Sequence, residues 1–356
     1  SEGDATRLAQ ATPPAQAGSP TGARDGARTA STTSTSPTSR PRVTAKDMKQ
    51  WSDLAAQLGF EYSILEGFWS RWPAEELKDL VDSSRAQGVG IFVWVDSKKL
   101  RDPEARRALY KTCVENNIAG LKVDFFDHEH KETIDQYHAI LRECAEHKLL
   151  LNFHGANKPT GESRTWPNEL VREAIRGMEA RKLESRAVHE ATLPFTRFPV
   201  GHGEYTGVLF TERRGDTTFA HQIAIPVVFT APLHTYAAHP SKLLASPAAD
   251  VIRAIPPVWD QTIVLPPSEI GELAVFARRL GDKWFLGVLN GTKPRQITVP
   301  LSFLREGKFT ATLVRDGAMP EEMKIEKDVP LSPSDTVTID MPAGGGFVGA
   351  FVKKEE

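Results

Sequence analysis

Cysteine is nearly absent from this sequence: its 356 residues include only Cys113 and Cys144. That excludes a disulfide framework and a cysteine-based zinc site. Both residues sit in segments with helical periodicity and read as free, buried thiols. A dominant charge of one sign is also missing. The formal net charge of −2 leaves no basic footprint for nucleic acid. No apolar run is long enough to span a bilayer, and no signal-peptide h-region stands at the N-terminus. On these grounds alone, the expectation is a cytoplasmic protein, or a processed or truncated chain. What is present is ordinary for a globular protein: 40% hydrophobic and 25% charged residues, in a chain long enough for two domains.

The sequence divides into three parts. Residues 1–45 hold Ser, Thr, Ala, Pro, Gly and Arg and almost no large apolar side chain. Such a segment buries too little surface to offset its ordering entropy, so it reads as a disordered tail without a first strand. Residues 46–257 alternate strand-like and helix-like segments. Strand candidates are Tyr62–Leu65, Gly90–Val95, Leu121–Phe125, Leu149–Phe153 and Ile223–Phe229. Helix candidates are Ala45–Leu58, Ala74–Gln87, Pro103–Asn116, Lys131–His147 and Asn168–Gly177. That alternation predicts an α/β fold with a parallel sheet or barrel. Residues 258–356 switch to short alternating strands with Gly-Asp and Asn-Gly turns, which predicts an antiparallel β-sandwich.

The stretch Leu121-Lys122-Val123-Asp124-Phe125-Phe126-Asp127 carries the first chemical signal. It reads as a buried strand with a carboxylate at its C-terminal end. In a (β/α) barrel the chemistry sits at that end of each strand. An unpaired carboxylate in apolar surroundings is costly, and Lys122 shares the face of Asp124 and compensates its charge. For an Asp after a strand, the plainer reading is a helix cap or an ion pair. The second signal is Asn152-Phe153-His154-Gly155-Ala156-Asn157-Lys158-Pro159-Thr160-Gly161, a polar, glycine-containing loop after a strand. Then come Arg164-Thr165-Trp166-Pro167-Asn168, Glu173, and Arg176-Gly177-Met178-Glu179. Taken singly, each Glu would be a surface residue.

Together these segments resemble glycoside hydrolase family 97. Further agreement comes from Leu193–Arg197, Ala220–Ala224, Val258–Thr262 and Ala277–Trp284, so the resemblance runs from about residue 46 to the C-terminus. It implies a bacterial α-glycosidase with a (β/α)8 barrel, a C-terminal β-sandwich and active-site calcium. Retaining hydrolysis uses a carboxylate nucleophile and a nearby acid/base carboxylate. Asp124 matches the nucleophile of the retaining branch. Inverting members carry a base Glu where this sequence has Gly155. Glu179 matches the general acid/base, and Glu173 a calcium ligand, with Glu179 at the same ion. Lys122 would donate to substrate hydroxyls. The resemblance thus implies a retaining α-galactosidase acting on an oligosaccharide or α-glycoside, in the periplasm or outside the cell, with α-glucosidase the alternative.

Other candidates rest on weaker grounds. Glu66, Trp69 and Trp94 stand at or just past strand ends, where aromatic faces suit sugars, though core packing explains a Trp equally well. His154 would contact a sugar hydroxyl or serve the structure. His128 and His130 form an i, i+2 pair in a charged loop, where a metal site is the less favoured reading. Two departures from the family stand out. The loop around His202 and Glu204 differs from the family's Gly-Pro-Met-Asp-Tyr pattern. The family's N-terminal β-sandwich and first barrel strand are not recognisable, which leaves an expectation of an incomplete barrel edge and an incomplete calcium shell. An inactive carbohydrate-binding protein also remains open, though a pure binder needs neither Asp124 nor Glu179. A different metal-dependent barrel hydrolase would require His and Asp ligands at several strand ends, and that set is not found.

Overall fold

Short apolar runs bounded by turn residues form the parallel strands. The computed structural model describes Thr6–Gln10, as backbone only, and residues 43–180 and 182–354. Strands β1 (Thr6–Gln10), β2 (Tyr62–Leu65), β3 (Gly90–Asp96), β4 (Gly120–Asp124), β5 (Leu150–Phe153), β6 (Glu169–Arg172) and β7 (Leu233–Tyr236) form one sheet of seven strands. Their order is β6-β5-β4-β3-β2-β1-β7, and every pairing is parallel. The edges β6 and β7 are bridged by one further segment: Gly203 pairs with Arg172 and Gly207 with Tyr236, both in parallel sense.

Helices α1 (Ala45–Leu58), α2 (Ala74–Ala86), α3 (Pro103–Glu115) and α4 (Lys131–Glu146) follow β1 to β4 in turn. Two of them have clear local start signals. Thr44 and Asp47 form a capping box that opens α1, and Gly59 closes it at φ 71°. Asp102 caps α3, with Pro103 at its first turn, where the missing N–H costs nothing. Helix α1 buries Ala45, Met48, Ser52, Ala55 and Leu58, and α2 buries Leu77, Leu80, Val81 and Ser84. These spacings of three and four lay one stripe of each helix on the sheet.

Three expectations are corrected. Residues 1–45 were expected to hold no strand, yet the backbone of Thr6–Gln10 pairs between β2 and β7 and takes the first-strand position. A strand flanked on both sides satisfies its hydrogen bonds through its neighbours, whatever its side chains. The disordered-tail expectation for 1–5 and 11–42 lies outside the described residues. Asn168–Gly177 was expected to be helical, but Glu169–Arg172 is β6, held by pairing with β5. Glu169 and Arg172 are both buried in a two-point ion pair, at 2.7 and 3.0 Å. Ile223–Phe229 was expected to be a strand. All of it but Phe229, which caps the helix, lies in α7 (Phe219–Val228), which follows α5 (Glu162–Thr165) and α6 (Arg186–Thr196). Helix α7 is buried on all sides, so no amphipathic period marks it.

Helix α7 lies between the barrel and the C-terminal domain. There β8 (Gln261–Val264), β9 (Leu273–Leu280), β10 (Lys283–Asn290), β12 (Phe309–Asp316), β13 (Met323–Leu331) and β15 (Gly346–Lys353) form an antiparallel sheet, and β11 (Arg295–Pro300) pairs with β14 (Thr336–Met341). A core that includes Trp284, Ile297, Val299, Val337, Ile339 and Phe351 fills the space between them. The two domains meet tightly. A Cβ at Gly346 would sit 2.3 Å from the His221 Cα on α7. His221 pairs with the buried Glu190 of α6 at 2.9 Å and reaches the Gly345 carbonyl at 2.9 Å.

Candidate active site

Three neighbouring strands end the same way. β4 ends at Asp124, and the next residue, Phe125, turns at φ 66°. After β5, His154 is followed by Gly155 at φ 49°. After β6, Glu173 is followed by Ala174 at φ 41°. A positive φ is unfavourable for residues with a Cβ, and such positions persist where surrounding contacts over-determine them. The turns leave three ionisable side chains at adjacent strand ends.

Lys122 and Asp124 lie two residues apart on β4, share one face and are both buried. Lys122 Nζ donates to Glu66 Oε1 at 3.1 Å and lies 3.8 Å from Glu179 Oε1. Burial works against its charge, but Glu66, Glu179, Glu204 and Asp124 outweigh that and raise its pKa above the ordinary lysine value. Asp124 accepts from Trp94 Nε1 at 2.9 Å and from the Phe125 amide at 2.7 Å, so both oxygens are held. Trp69 Nε1 donates to the Trp94 carbonyl at 2.8 Å. Its polar edge is therefore spent on fixing Trp94. Asp96, beside Asp124 in the ladder, caps the turn after β3 by accepting from the Lys98 amide at 2.9 Å. That is the structural role an Asp at a strand end fills by default.

His154 lies between two carboxylates. Its Nε2 contacts Glu204, and its Nδ1 lies 3.6 Å from Glu173 Oε2. Burial and Lys122 push the imidazole pKa down, yet Glu204 and Glu173 together hold it at about 9. Burial pushes Glu204 up, but His154, Lys122 and the Thr206 hydroxyl bring it to about 2. The pair is therefore ionised. Burial holds Glu173 above the usual carboxylate range, against His154 and the Gly155 amide that donates to it at 2.7 Å.

Gly155 also abuts the strand-end carboxylate. A Cβ there would fall 2.9 Å from Asp124 Oδ1 and 2.8 Å from the Phe125 amide nitrogen. On this backbone, a side chain at 155 and the carboxylate at 124 compete for the same space.

Ligand atoms of His154, Glu173 and Glu179 lie within 4.8 Å of one another. Five carboxylates (Glu66, Asp124, Glu173, Glu179, Glu204) face two cationic groups, Lys122 and His154. That excess of acid fits a divalent cation, and Glu173 and Glu179 supply the oxygen donors calcium takes. His154 belongs to the cluster as a neighbour, because its imidazole is engaged by Glu204.

Of the residues singled out in the sequence, Glu66, Lys122, Trp94, Asp124, His154, Glu173 and Glu179 converge here, and Trp69 joins through the Trp94 backbone. Sequence reasoning missed Glu204, named only as part of a divergent loop, and Phe125, half exposed beside Asp124 with its ring edge-on to Trp94 at 5.6 Å. The signal for Glu204 was its place between Gly203 and Gly207, where the backbone bridges β6 and β7.

A family profile described as "Glycoside hydrolase 97" matches residues 27–175, and one described as "Glycosyl-hydrolase 97 C-terminal, oligomerisation" matches residues 258–352. The chain is 32% identical over 314 residues to a probable retaining alpha-galactosidase of Streptomyces bingchenggensis, covering 84% of this chain and 48% of that protein. It is 32% identical over 330 residues to the retaining alpha-galactosidase of Bacteroides thetaiotaomicron, covering 84% and 49%. The chain thus spans about half the length of the curated relatives it matches. Among solved structures, a glycoside hydrolase family 97 enzyme of Pseudoalteromonas sp. in complex with acarbose superposes with a TM-score of 0.79 at 25% identity, over 88% of this chain and 56% of that one.

Proposed function

The chain belongs to glycoside hydrolase family 97, and on that premise we propose that it is a retaining α-glycoside hydrolase, with α-galactosides as substrates. The observation that carries the retaining reading is the contact between Gly155 and Asp124. The site has a carboxylate at the end of β4 and no room for a side chain at 155. In this reading Asp124 attacks the anomeric carbon as Glu179 gives its proton to the leaving oxygen. The glycosidic bond breaks and a glycosyl ester forms on Asp124. Glu179 then takes a proton from water, which attacks the same carbon and releases Asp124. Trp94 and the Phe125 amide orient the Asp124 oxygens, and Lys122 supplies donors for sugar hydroxyls next to the bond.

Calcium is part of the proposal. Glu173 and Glu179 would hold it, and the ion would add positive charge to an acid-rich pocket. A self-associated state through residues 258–352 is proposed from the description of the matched C-terminal family. A periplasmic or extracellular location is proposed from the family resemblance; among the described residues, no helix is long and apolar enough to cross a membrane. Hydrolysis of nitrophenyl α-galactoside and α-glucoside, followed by NMR of the first-formed anomer, tests the reading. It expects α-galactose as first product and loss of rate on chelation. A β-anomer would overturn retention, a preference for the glucoside would overturn the substrate, and full activity in metal-free protein would overturn the calcium.

A further inference from the structure

The end of the loop from β4 to α4 and the first turn of α4 read Asp127-His128-Glu129-His130-Lys131-Glu132 and lie outside the pocket described above. The ligand atoms of His128, His130 and Glu132 lie within 4.8 Å of one another. Glu132 Oε1 is 3.4 Å from His130 Nδ1 and 4.0 Å from His128 Nε2. The two rings stack with centroids 4.1 Å apart. His128 Nδ1 meets the hydroxyl of the buried Thr133 at 2.9 Å and the backbone N–H of His130 at 3.4 Å. With the proton on Nδ1 and the Thr133 hydroxyl accepting it, Nε2 would be left bare for a metal, as outer-sphere partners leave it in metal-bound imidazoles. Nearby cations are engaged elsewhere, Lys131 with Asp135 at 2.5 Å and Lys98 with Asp127 at 3.0 Å.

We propose that His128, His130 and Glu132 form a second metal site, selective for a borderline divalent ion such as zinc and separate from the acidic pocket. Two imidazole nitrogens disfavour calcium and magnesium, which take oxygen ligands. Three protein ligands leave a fourth position for water. The N-terminal end of α4 opposes a cation, but only weakly at an exposed site. Zinc–nitrogen bonds of about 2.0–2.1 Å require the two stacked rings to turn toward one ion; His130 is exposed and His128 is partly buried. A bound ion would tie the loop behind Asp124 and Phe125 to the first turn of α4.

Zinc is added to the full chain and bound metal is counted by equilibrium dialysis with elemental analysis. The proteins compared are wild type, His128→Ala/His130→Ala, His130→Gln, Thr133→Val and Glu173→Gln. The double variant is expected to lose about one equivalent of zinc. His130→Gln loses the same equivalent with less change of shape, Thr133→Val binds it about tenfold more weakly, and Glu173→Gln retains it. Cobalt in place of zinc gives visible absorption bands in wild type and Glu173→Gln that vanish in the double variant. Equal zinc content in wild type and double variant overturns the proposal. So does a loss confined to Glu173→Gln, which would place the metal in the acidic pocket.

Discussion

Residues 43–153 and residues 154–257 build two parts of one parallel-sheet domain by different means. In the first part the strands carry apolar residues on both faces, and amphipathic helices pack on them through residues such as Leu80, Ile91, Tyr110 and Ile140. In the second part the buried positions include Glu169, Arg172, Arg186, Glu190, Glu204 and His221. There an apolar core that includes Leu193, Phe198, Ile223 and Val227 also encloses paired charges, and a segment joined to β6 and β7 by single bridges lies between them. Hydrophobic burial is non-directional and tolerates substitution, whereas buried charge pairs fail when one partner goes. The candidate site sits where the parts meet, between Asp124 on β4 and Glu204 beyond β6.

The largest effect should come from the strand-end carboxylate of the apolar part. Asp124→Ala should cost about 10⁴-fold in kcat while leaving the melting temperature near that of the wild type. Azide should restore turnover and yield a glycosyl azide; retained activity without azide would remove Asp124 from the mechanism. Next in size is the charge-built part. Glu204→Ala leaves His154 buried without its main counter-charge and should cost about 3–5 kcal/mol in a denaturant titration. The same pair makes this part sensitive to alkali. Its raised pKa means His154 contributes stability fully below about 6.5, its ordinary value, and loses it as pH rises through about 9. Melting curves from pH 6 to 10 should show a fall in the wild type that Glu204→Ala lacks.

A smaller effect separates two glycines. Gly155→Ala sits at φ 49° against Asp124, and Gly59→Ala at φ 71° meets no atom within 4 Å. Both should lose about 1–2 kcal/mol for the left-handed backbone. Only Gly155→Ala should lower kcat, by about 10²-fold if Asp124 shifts by roughly 1 Å. Equal kcat in the two variants would break the link between 155 and the carboxylate. Smallest of all is a surface pair of the first part. Lys78→Ala removes an exposed i, i+4 contact with Asp82 and should change stability by no more than about 0.5 kcal/mol. A loss of several kcal/mol there would erase the contrast between the parts.

Legibility follows the same division. Segments such as Tyr62–Leu65 and Ala45–Leu58 agree with the structure because local period, caps and burial coincide there. Helix α7 and strand β6 were misread because burial on all sides erases one period, and a charged pair imitates the other.

By itself the sequence determined the strand-end position of Asp124, the placement of Lys122 and Asp124 on one face, the strand–helix alternation of the first part and the switch to antiparallel strands near residue 258. Those depend on neighbours a few positions apart, whose geometry is set by backbone period. The tertiary structure alone decided that Thr6–Gln10 pairs between β2 and β7, that Glu204 meets His154 across 50 residues, and that Gly155 leaves no room beside Asp124. Such contacts join segments far apart in the chain, and no local preference encodes which charge a buried charge will find.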